Sequence, residues 1–392
     1  MNITFLILSL DTGGVESVTV TLANEFKKKG YGVSIICFWK EKDDSVRITL
    51  NKDVPVYYLS GFKYSKENIQ IMRFILKENE TDVVINQYGL PWIPARIIKN
   101  ASKGLHVKLV SYYHSDPAAN ARLSTIDKEL LSHHGVLRTS LLRVKRKIVK
   151  FVTSRSMKYV YSISDAYMLL SESFFQNFAE FTGVRVPKKL FAMPNPVTLD
   201  EPHDTFAKSH TILYVGRVDT SVKRVDRVIE VWRLLEEQFP DWTLKIVGAG
   251  EGLEEVKKLS YKYGLKHVHF EGFQSPVDYY KEGAILLLTS DFEGFGLVLI
   301  EGMMYGVVPV VYGSYKSVFD IVDNQKNGII IMPEKGQFPV NAMAEKVAGI
   351  MKNEAYRNSM AEEALRITNK YSKKAILSQW DSFIASLRIT NN

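Results

Sequence analysis

Two carboxylates and two cations in the second half of the chain have the types and spacing to do chemistry. Glu293 and Glu301 bracket a loop that follows the apolar run 285–289 and leads into a helical pattern starting near Leu297. A carboxylate accepts two hydroxyl hydrogen bonds at once, which suits the diols of a sugar or a ribose. Gly294 and Gly296, with Phe295 between them, permit a tight loop whose backbone N–H groups can approach a ligand closely. The N–H groups from Gly294 to Leu297 and the positive end of the helix dipole then face one spot, where a diphosphate is stabilised without a metal. Arg217 and Lys223 lie six residues apart on a loop that opens after the apolar run 211–215. Arg217 can grip phosphate oxygens with two parallel N–H bonds, and Lys223 adds a point charge. Structural alternatives stand beside each reading: Glu301 complementing the dipole, Glu293 in solvent, and a solvated basic loop around Arg217 and Lys223.

Smaller signals accompany these. Gly248, Gly250 and Gly252 follow the run 244–247 and read as backbone clearance beside a nucleotide. The acid that a dinucleotide fingerprint needs about 20 residues further on is not in place. Phe273 and Gln274 end the next strand pattern, after Glu271 and Gly272, and would border a base. In the first half, Gly13 and Gly14 make an early turn, and His114 stands just past a strand pattern. His114 can hydrogen-bond a sugar hydroxyl or orient an acceptor, or serve as a structural histidine at a strand end. Asp116 reads as a turn or cap residue. No Asp-x-Asp occurs anywhere in the chain, in keeping with a leaving group held by cations and a helix end.

The elements that must position these residues alternate. Residues 3–9 form an apolar strand pattern, 15–29 an amphipathic helix and 33–38 a second strand, with more strands at 83–86 and 108–112. A second series starts near 210, with strands at 211–215, 244–247, 267–270, 285–289 and 308–312 and helices between them, the first at 224–238. Short apolar strands alternating with helices predict parallel sheets covered on both faces, two doubly wound Rossmann-like domains of α/β class. Residues 193–202, rich in proline and polar residues, read as a linker. The expected domains are 1–195, 205–372, and a C-terminal helix, 373–392, that returns to the first domain with Trp380 as its packing anchor. Parallel sheets bind ligands at the carboxyl ends of their strands, so the two halves are expected to face a central cleft.

As an ordered set, Arg217 and Lys223, Gly248 and Gly250, Glu271 and Gly272, then Glu293 and Glu301 ahead of the strand at Pro309, resemble the retaining glycosyltransferases of family 4, which have the GT-B fold. Gly13, Gly14 and His114 match in the first half. The resemblance implies that Arg217 and Lys223 neutralise a leaving diphosphate and that Glu293 holds hydroxyls of the donor sugar. Glu301 would hold the ribose, and the amides of Gly294 to Leu297 would line the sugar-phosphate site. Gly14 would approach the phosphate, and His114 would face the donor sugar. It implies a nucleotide diphosphate sugar, UDP- or GDP-linked, as co-substrate, a glycan or lipid-linked acceptor, and no metal or other cofactor. Two features depart from the family: its usual spacing from arginine to lysine is five residues, and Tyr312, Gly313, Ser314 and Tyr315 replace a common Gly-Gly.

The 392-residue length fits two domains. A net charge of +8 suits a phosphate-bearing partner. Cys37 is the one cysteine, which excludes an internal disulfide and a cysteine zinc site. No apolar run reaches the length of a membrane span, so the chain reads as cytoplasmic. Residues 130–164 contain no acid but eight cations, and Leu137, Leu141, Val144, Ile148 and Phe151 recur at spacings of four and three. That describes an amphipathic helix over 137–158 that either lies on an anionic membrane face or packs its apolar stripe on the core. Few aromatics interleave with the cations, which argues against nucleic acid. Two other functions compete with sugar transfer: a nucleotide-sugar epimerase on the same fold and a non-catalytic binding subunit.

Overall fold

A computed structural model of the protein describes residues 1–118, 121–131, 135–202 and 207–389. The chain divides into two compact units, Met1–Thr198 with Ile376–Asn392, and Leu199–Ala375. The division falls inside the Pro-rich stretch 193–202. The expected start of the second domain, at 205, lies outside the described residues.

Unit 1 contains β1 (Asn2–Ile7), α1 (Gly14–Lys28), β2 (Gly32–Cys37), β3 (Val56–Tyr58), α2 (Lys66–Glu78), β4 (Val83–Asn86) and α3 (Trp92–Ala101). It continues with β5 (Lys108–Tyr113), α4 (Ala121–Leu131), α5 (Val136–Ile163), β6 (Ala166–Leu169), α6 (Phe174–Thr182) and β7 (Leu190–Ala192). The seven strands are ordered β3-β2-β1-β4-β5-β6-β7 and every pair is parallel. The order reverses between β1 and β4, so the loops after these strands border the unit's switch point. Cys37 is fully buried in β2, and burial pushes its thiol up to about 12.

Unit 2 contains β8 (Thr211–Val215), α7 (Val225–Arg233), β9 (Thr243–Val247), α8 (Leu253–Lys262), β10 (Val268–Gly272), α9 (Val277–Glu282), β11 (Ile285–Leu288) and α10 (Leu297–Met304). It ends with β12 (Val308–Tyr312), α11 (Val318–Ile321), β13 (Ile329–Ile331), α12 (Val340–Lys352), α13 (Glu354–Leu365) and α14 (Thr368–Tyr371). Six parallel strands run β10-β9-β8-β11-β12-β13, so the switch point lies between β8 and β11. Trp232 and Trp242 centre a core beneath α7, α8 and α12. The helix expected over 224–238 ends earlier, at Arg233, and a tight turn at Glu236–Gln238 follows. The reason is Glu236: its carboxylate accepts hydrogen bonds from the Lys266 and His267 N–H groups and from Trp232 Nε1. These bonds draw the chain out of the helix.

α15 (Lys373–Ile389) passes from unit 2 into unit 1. Within unit 1, Trp380 is fully buried and meets Phe26 of α1 and Tyr112 of β5 edge-on, with ring centroids 5.7 and 6.2 Å apart. Lys29 and Asp381 close the contact with an ion pair.

α5 corrects one expectation. The alternative that its apolar stripe packs on the core does not hold: Leu137 is 83% exposed, Leu141 70% and Ile148 58%. The helix buries another face, through Leu142, Thr153, Met157 and Val160. α5 packs against α4, α3, α6 and β5, and the stripe at 137, 141, 144, 148 and 151 is left outside. No helix among the described residues is long and apolar enough to cross a membrane.

Candidate active site

The two loops at the unit 2 switch point carry the residues that the sequence singles out. The loop after β8 begins at Gly216 and holds Arg217, Asp219 and Lys223. The loop after β11 holds Ser290, Asp291 and Glu293 and ends at Gly296, which caps α10. Lys223 Nζ stands 2.7 Å from both carboxylate oxygens of Glu293, and Ser290 Oγ donates to Oε1 at 2.7 Å. Glu293 is 8% exposed and Lys223 24%, so the pair is sheltered but open on the lysine side. The solvated alternative for Glu293 therefore does not hold.

Asp219, which sequence reasoning passed over, organises the first loop. Oδ1 accepts from the N–H groups of Ser221, Val222 and Lys223, at 3.0, 2.6 and 3.0 Å. Oδ2 accepts from Arg217 Nε at 3.0 Å. Burial pushes the Asp219 carboxyl up, but the Val222 and Lys223 amides, the Arg217 charge and the Ser221 hydroxyl outweigh it, so the group lies below the usual range. An acid two residues after Arg217 was the available signal. Arg217 itself is 64% exposed and keeps donors free beyond Asp219.

The two loops are tied together. Asp291 N–H donates to the Val222 carbonyl at 2.8 Å, and its carboxylate takes Arg227 at 2.6 Å and Arg224 at 3.4 Å. Arg224 holds a left-handed φ of 54°, a strained value for a residue with a Cβ, fixed by its grip on Asp226. Backbone strain of this kind recurs where loops must aim side chains.

Gly296 adopts φ 98° at the start of α10, a conformation open to glycine. Among the described residues, the N–H groups of Gly294, Phe295, Gly296 and Leu297 have no acceptor within the chain. The Phe295 side chain is core, edge-on to Tyr371 at 5.6 Å, so only its backbone faces outward. Tyr315, from the segment that departs from the family, is buried, and its hydroxyl has no hydrogen-bond partner among the described residues. A Cβ at Gly296 would sit 3.3 Å from that hydroxyl. Burial and the Glu293 charge push the Tyr315 phenol well above its ordinary value, so it remains a donor. Glu301 is buried in the second turn of α10, with the Tyr280 hydroxyl 3.4 Å away.

Gly248 needs a different explanation from the one expected. A Cβ there would meet the Gly216 carbonyl oxygen at 1.8 Å, and one at Gly250 would meet the Val218 carbonyl at 2.3 Å. These glycines clear space for the loop that carries Arg217, where the sequence reading placed a nucleotide. Gly248 N–H also donates to the Gly272 carbonyl at 2.7 Å, which sets the β10 turn beside it. Phe273, in that turn, is 75% exposed, and Gln274 is exposed as well.

In unit 1, Gly13 caps α1, and Gly14 has open space where a Cβ would stand. His114 Nδ1 lies 3.0 Å from Asn195 Oδ1 and Nε2 lies 2.6 Å from the Gln87 side chain. A neutral ring donates from one nitrogen only, and Gln87 Nε2 is otherwise unpaired. Turning that amide lets it donate to Nε2 while Nδ1–H donates to Asn195. Both ring nitrogens are then engaged inside the unit. Asp116 is a turn residue that accepts from the Ala118 N–H and from Asn177.

His114 is half-buried as a residue, and both of its ring nitrogens have side-chain partners. Burial lowers its pKa to about 3, against a smaller upward pull from Asn195. The unfolded chain takes up this proton near pH 6.5 and the folded chain does not, so stability falls as pH drops from about 6.5 toward 3, by up to about 1.4 kcal/mol per unit. His114→Asn is expected to flatten the fall of Tm across that window, and thermal unfolding against pH checks it.

The description Glycosyltransferase Family 4 matches residues 12–201, and Glycosyl transferases group 1 matches residues 198–366. An uncharacterized glycosyltransferase of Haemophilus influenzae is 25% identical over 390 residues, covering 97% of this chain and 99% of that protein. A Campylobacter jejuni alpha-1,4-N-acetyl-D-galactosaminyltransferase, named for a diNAcBac-PP-undecaprenol-linked acceptor, is 23% identical and covers 99% of each. The solved structure of Anabaena Alr3699/HepE in complex with UDP has a TM-score of 0.74 at 16% identity, over 98% of this chain and 100% of that one. That likeness shows the shared fold, two Rossmann-like parallel-sheet units.

Proposed function

The chain belongs to the glycosyltransferases of GT-B fold, with a family 4 first half and a group 1 second half, and on that premise we propose how it transfers sugar. The donor is a nucleotide diphosphate sugar, UDP- or GDP-linked, and the acceptor is a lipid-linked glycan of cell-surface polysaccharide synthesis. The C. jejuni relative, by its name, works on such an acceptor. The relatives named above are transferases and lend no support to an epimerase.

One observation carries the reading: Lys223 and Glu293 form a sheltered ion pair beside the unpaired amides at the start of α10. An arriving diphosphate takes Lys223, Arg217 and those amides, which frees Glu293 to accept two hydroxyls of the donor sugar. Tyr315 donates from its buried hydroxyl, and Glu301 accepts from the ribose. The bond from the anomeric carbon to the diphosphate breaks through an oxocarbenium-like state, and the acceptor oxygen bonds to the same face with retention. The acceptor proton passes to the departing phosphate oxygen. Charge on the diphosphate is met by the cations and amides, so no metal is required.

Thermal shift with UDP, GDP and their sugars tests the donor site. A diphosphate at 100 times its Kd adds about 2.7 kcal/mol and raises Tm by roughly 5–10 °C. Labelled sugar should then pass to a lipid-linked acceptor, undiminished by EDTA. If no nucleotide shifts Tm and no sugar moves, the reading fails; loss of transfer in EDTA removes its metal-free part.

The exposed stripe of α5 supports a place on the inner face of the plasma membrane. Among the described residues, Arg143, Lys145, Lys147 and Lys150 make no ion pair, while Arg138 and Arg146 hold Glu129 and Asp127. Apolar residues flanked by free cations suit an anionic interface. The protein is expected to sediment with phosphatidylglycerol vesicles at about 50 mM salt and less so at about 500 mM. Leu141→Ser with Ile148→Ser should release it at unchanged Tm, since both side chains are already exposed.

A further inference from the structure

Unit 1 holds a cavity of about 480 Å³ between α3 and α5, beside the loop after β4. Its walls include Leu90, Pro91, Trp92 and Ile93 on one side and Phe151, Val152 and Tyr159 on the other. Two of the hydroxyls in the lining are already engaged: Ser156 Oγ donates to the Leu90 carbonyl at 2.7 Å and Thr153 Oγ1 to the Val149 carbonyl at 2.6 Å. The Ser156 bond also pins α5 to the β4 loop, so the cavity is a held feature of the fold.

The charged groups in the lining are two guanidiniums, with the Tyr159 hydroxyl and the Trp92 indole N–H as further donors. Arg96 lies over the rings of Tyr64 and Trp92, at 4.8 and 5.5 Å, and Arg155 over Phe151 at 5.2 Å. Neither has a carboxylate partner among the described residues, and no lining residue is acidic. An apolar chamber with two unneutralised cations fits an amphiphile: a hydrocarbon chain ending in phosphate.

Two further observations set the occupant. Phe151 and Val152 belong both to the cavity wall and to the exposed apolar residues of α5, at 61% and 54% exposure. A chain reaching the cavity from a membrane surface therefore stays on apolar contacts throughout. Leu90 also lies only three residues beyond Gln87, whose side chain holds His114. The cavity thus borders the carboxyl end of the sheet, where an acceptor is handled.

We propose that this cavity binds the hydrocarbon chain of a glycan acceptor linked to a polyprenyl phosphate and that Arg96 and Arg155 meet the phosphate of that linkage. The proposal rests on the lipid-linked acceptor reading above and names the site for it.

Calorimetric titration of the full chain with farnesyl phosphate, below its micelle concentration, tests the site. Farnesyl phosphate should bind at least about tenfold more tightly than farnesol or inorganic phosphate, since it engages both the walls and the cations. Val152→Trp fills the cavity from a side chain already half exposed, and should weaken farnesyl phosphate about tenfold without lowering Tm. Arg96→Gln with Arg155→Gln should bring farnesyl phosphate down to the level of farnesol. Equal binding by the Val152→Trp protein overturns the site, and equal binding of dodecyl phosphate by the parent overturns the prenyl assignment. Nucleotide thermal shift on the same samples separates the readings. Donor binding without farnesyl phosphate binding sinks the cavity alone, and the converse sinks the transferase reading while the lipid site stands.

Discussion

Lys223→Ala is expected to lower kcat for sugar transfer by about 10²–10³-fold, the loss of about 2.7–4 kcal/mol that follows removal of one preorganised charge stabiliser. The lysine faces Glu293 at 2.7 Å before any donor arrives, so its position needs no reorganisation when the diphosphate replaces the carboxylate. Stability responds separately. Removing one partner of a buried pair costs about 3–5 kcal/mol, and less here because Lys223 keeps 24% of its surface in solvent. Glu293→Gln removes the negative charge and retains the bond from Ser290. The double variant should be more stable than Lys223→Ala and no more active. Initial rates and thermal unfolding of the three proteins decide this; a Lys223→Ala enzyme turning over at the parent rate rules out the proposed cradle.

Gly248→Ala is the second large effect, and it acts at a distance from the chemistry. The added Cβ would lie 1.8 Å from the Gly216 carbonyl oxygen, a backbone atom that cannot turn aside as a side chain can. Gly248 also has φ 145°, outside the range a residue with a Cβ adopts readily. Strain and clash together should cost about 3 kcal/mol or more, a fall in Tm of roughly 6–12 °C for a unit of this size. The loop from Gly216 to Lys223 must shift to make room, so donor affinity falls with stability. By contrast, Gly14→Ala meets open space and should leave Tm unchanged. A Gly248→Ala protein with parental Tm and nucleotide affinity would show that the loop has slack that the packing does not reveal.

Residue order alone determined the α/β class and the parallel strands, and it placed Arg217, Lys223 and Glu293 in loops that follow strands. These properties are local. Apolar runs of four to six residues alternating with helical periods admit few arrangements, and a parallel sheet sends its loops to one end. The residues at 217, 223, 293 and 301 could be picked out as candidates, because phosphate and sugar chemistry restricts which side chains could serve.

The tertiary structure decided what depends on neighbours distant in the chain. Lys223 and Glu293 are 70 residues apart, and only the placement of β8 beside β11 brings them together. Asp219 reads as one more loop acid until its oxygens are seen to hold three amides and Arg217. The glycine at 248 fits a nucleotide in the sequence and a carbonyl in the structure, because a missing side chain does not say what fills its place. The α5 pattern is the same whether the stripe is covered or bare. Burial of Leu142, Met157 and Val160 settled which face the fold uses, and left the apolar stripe exposed. Periodicity reports that a helix has an apolar face; packing chooses the one that is buried.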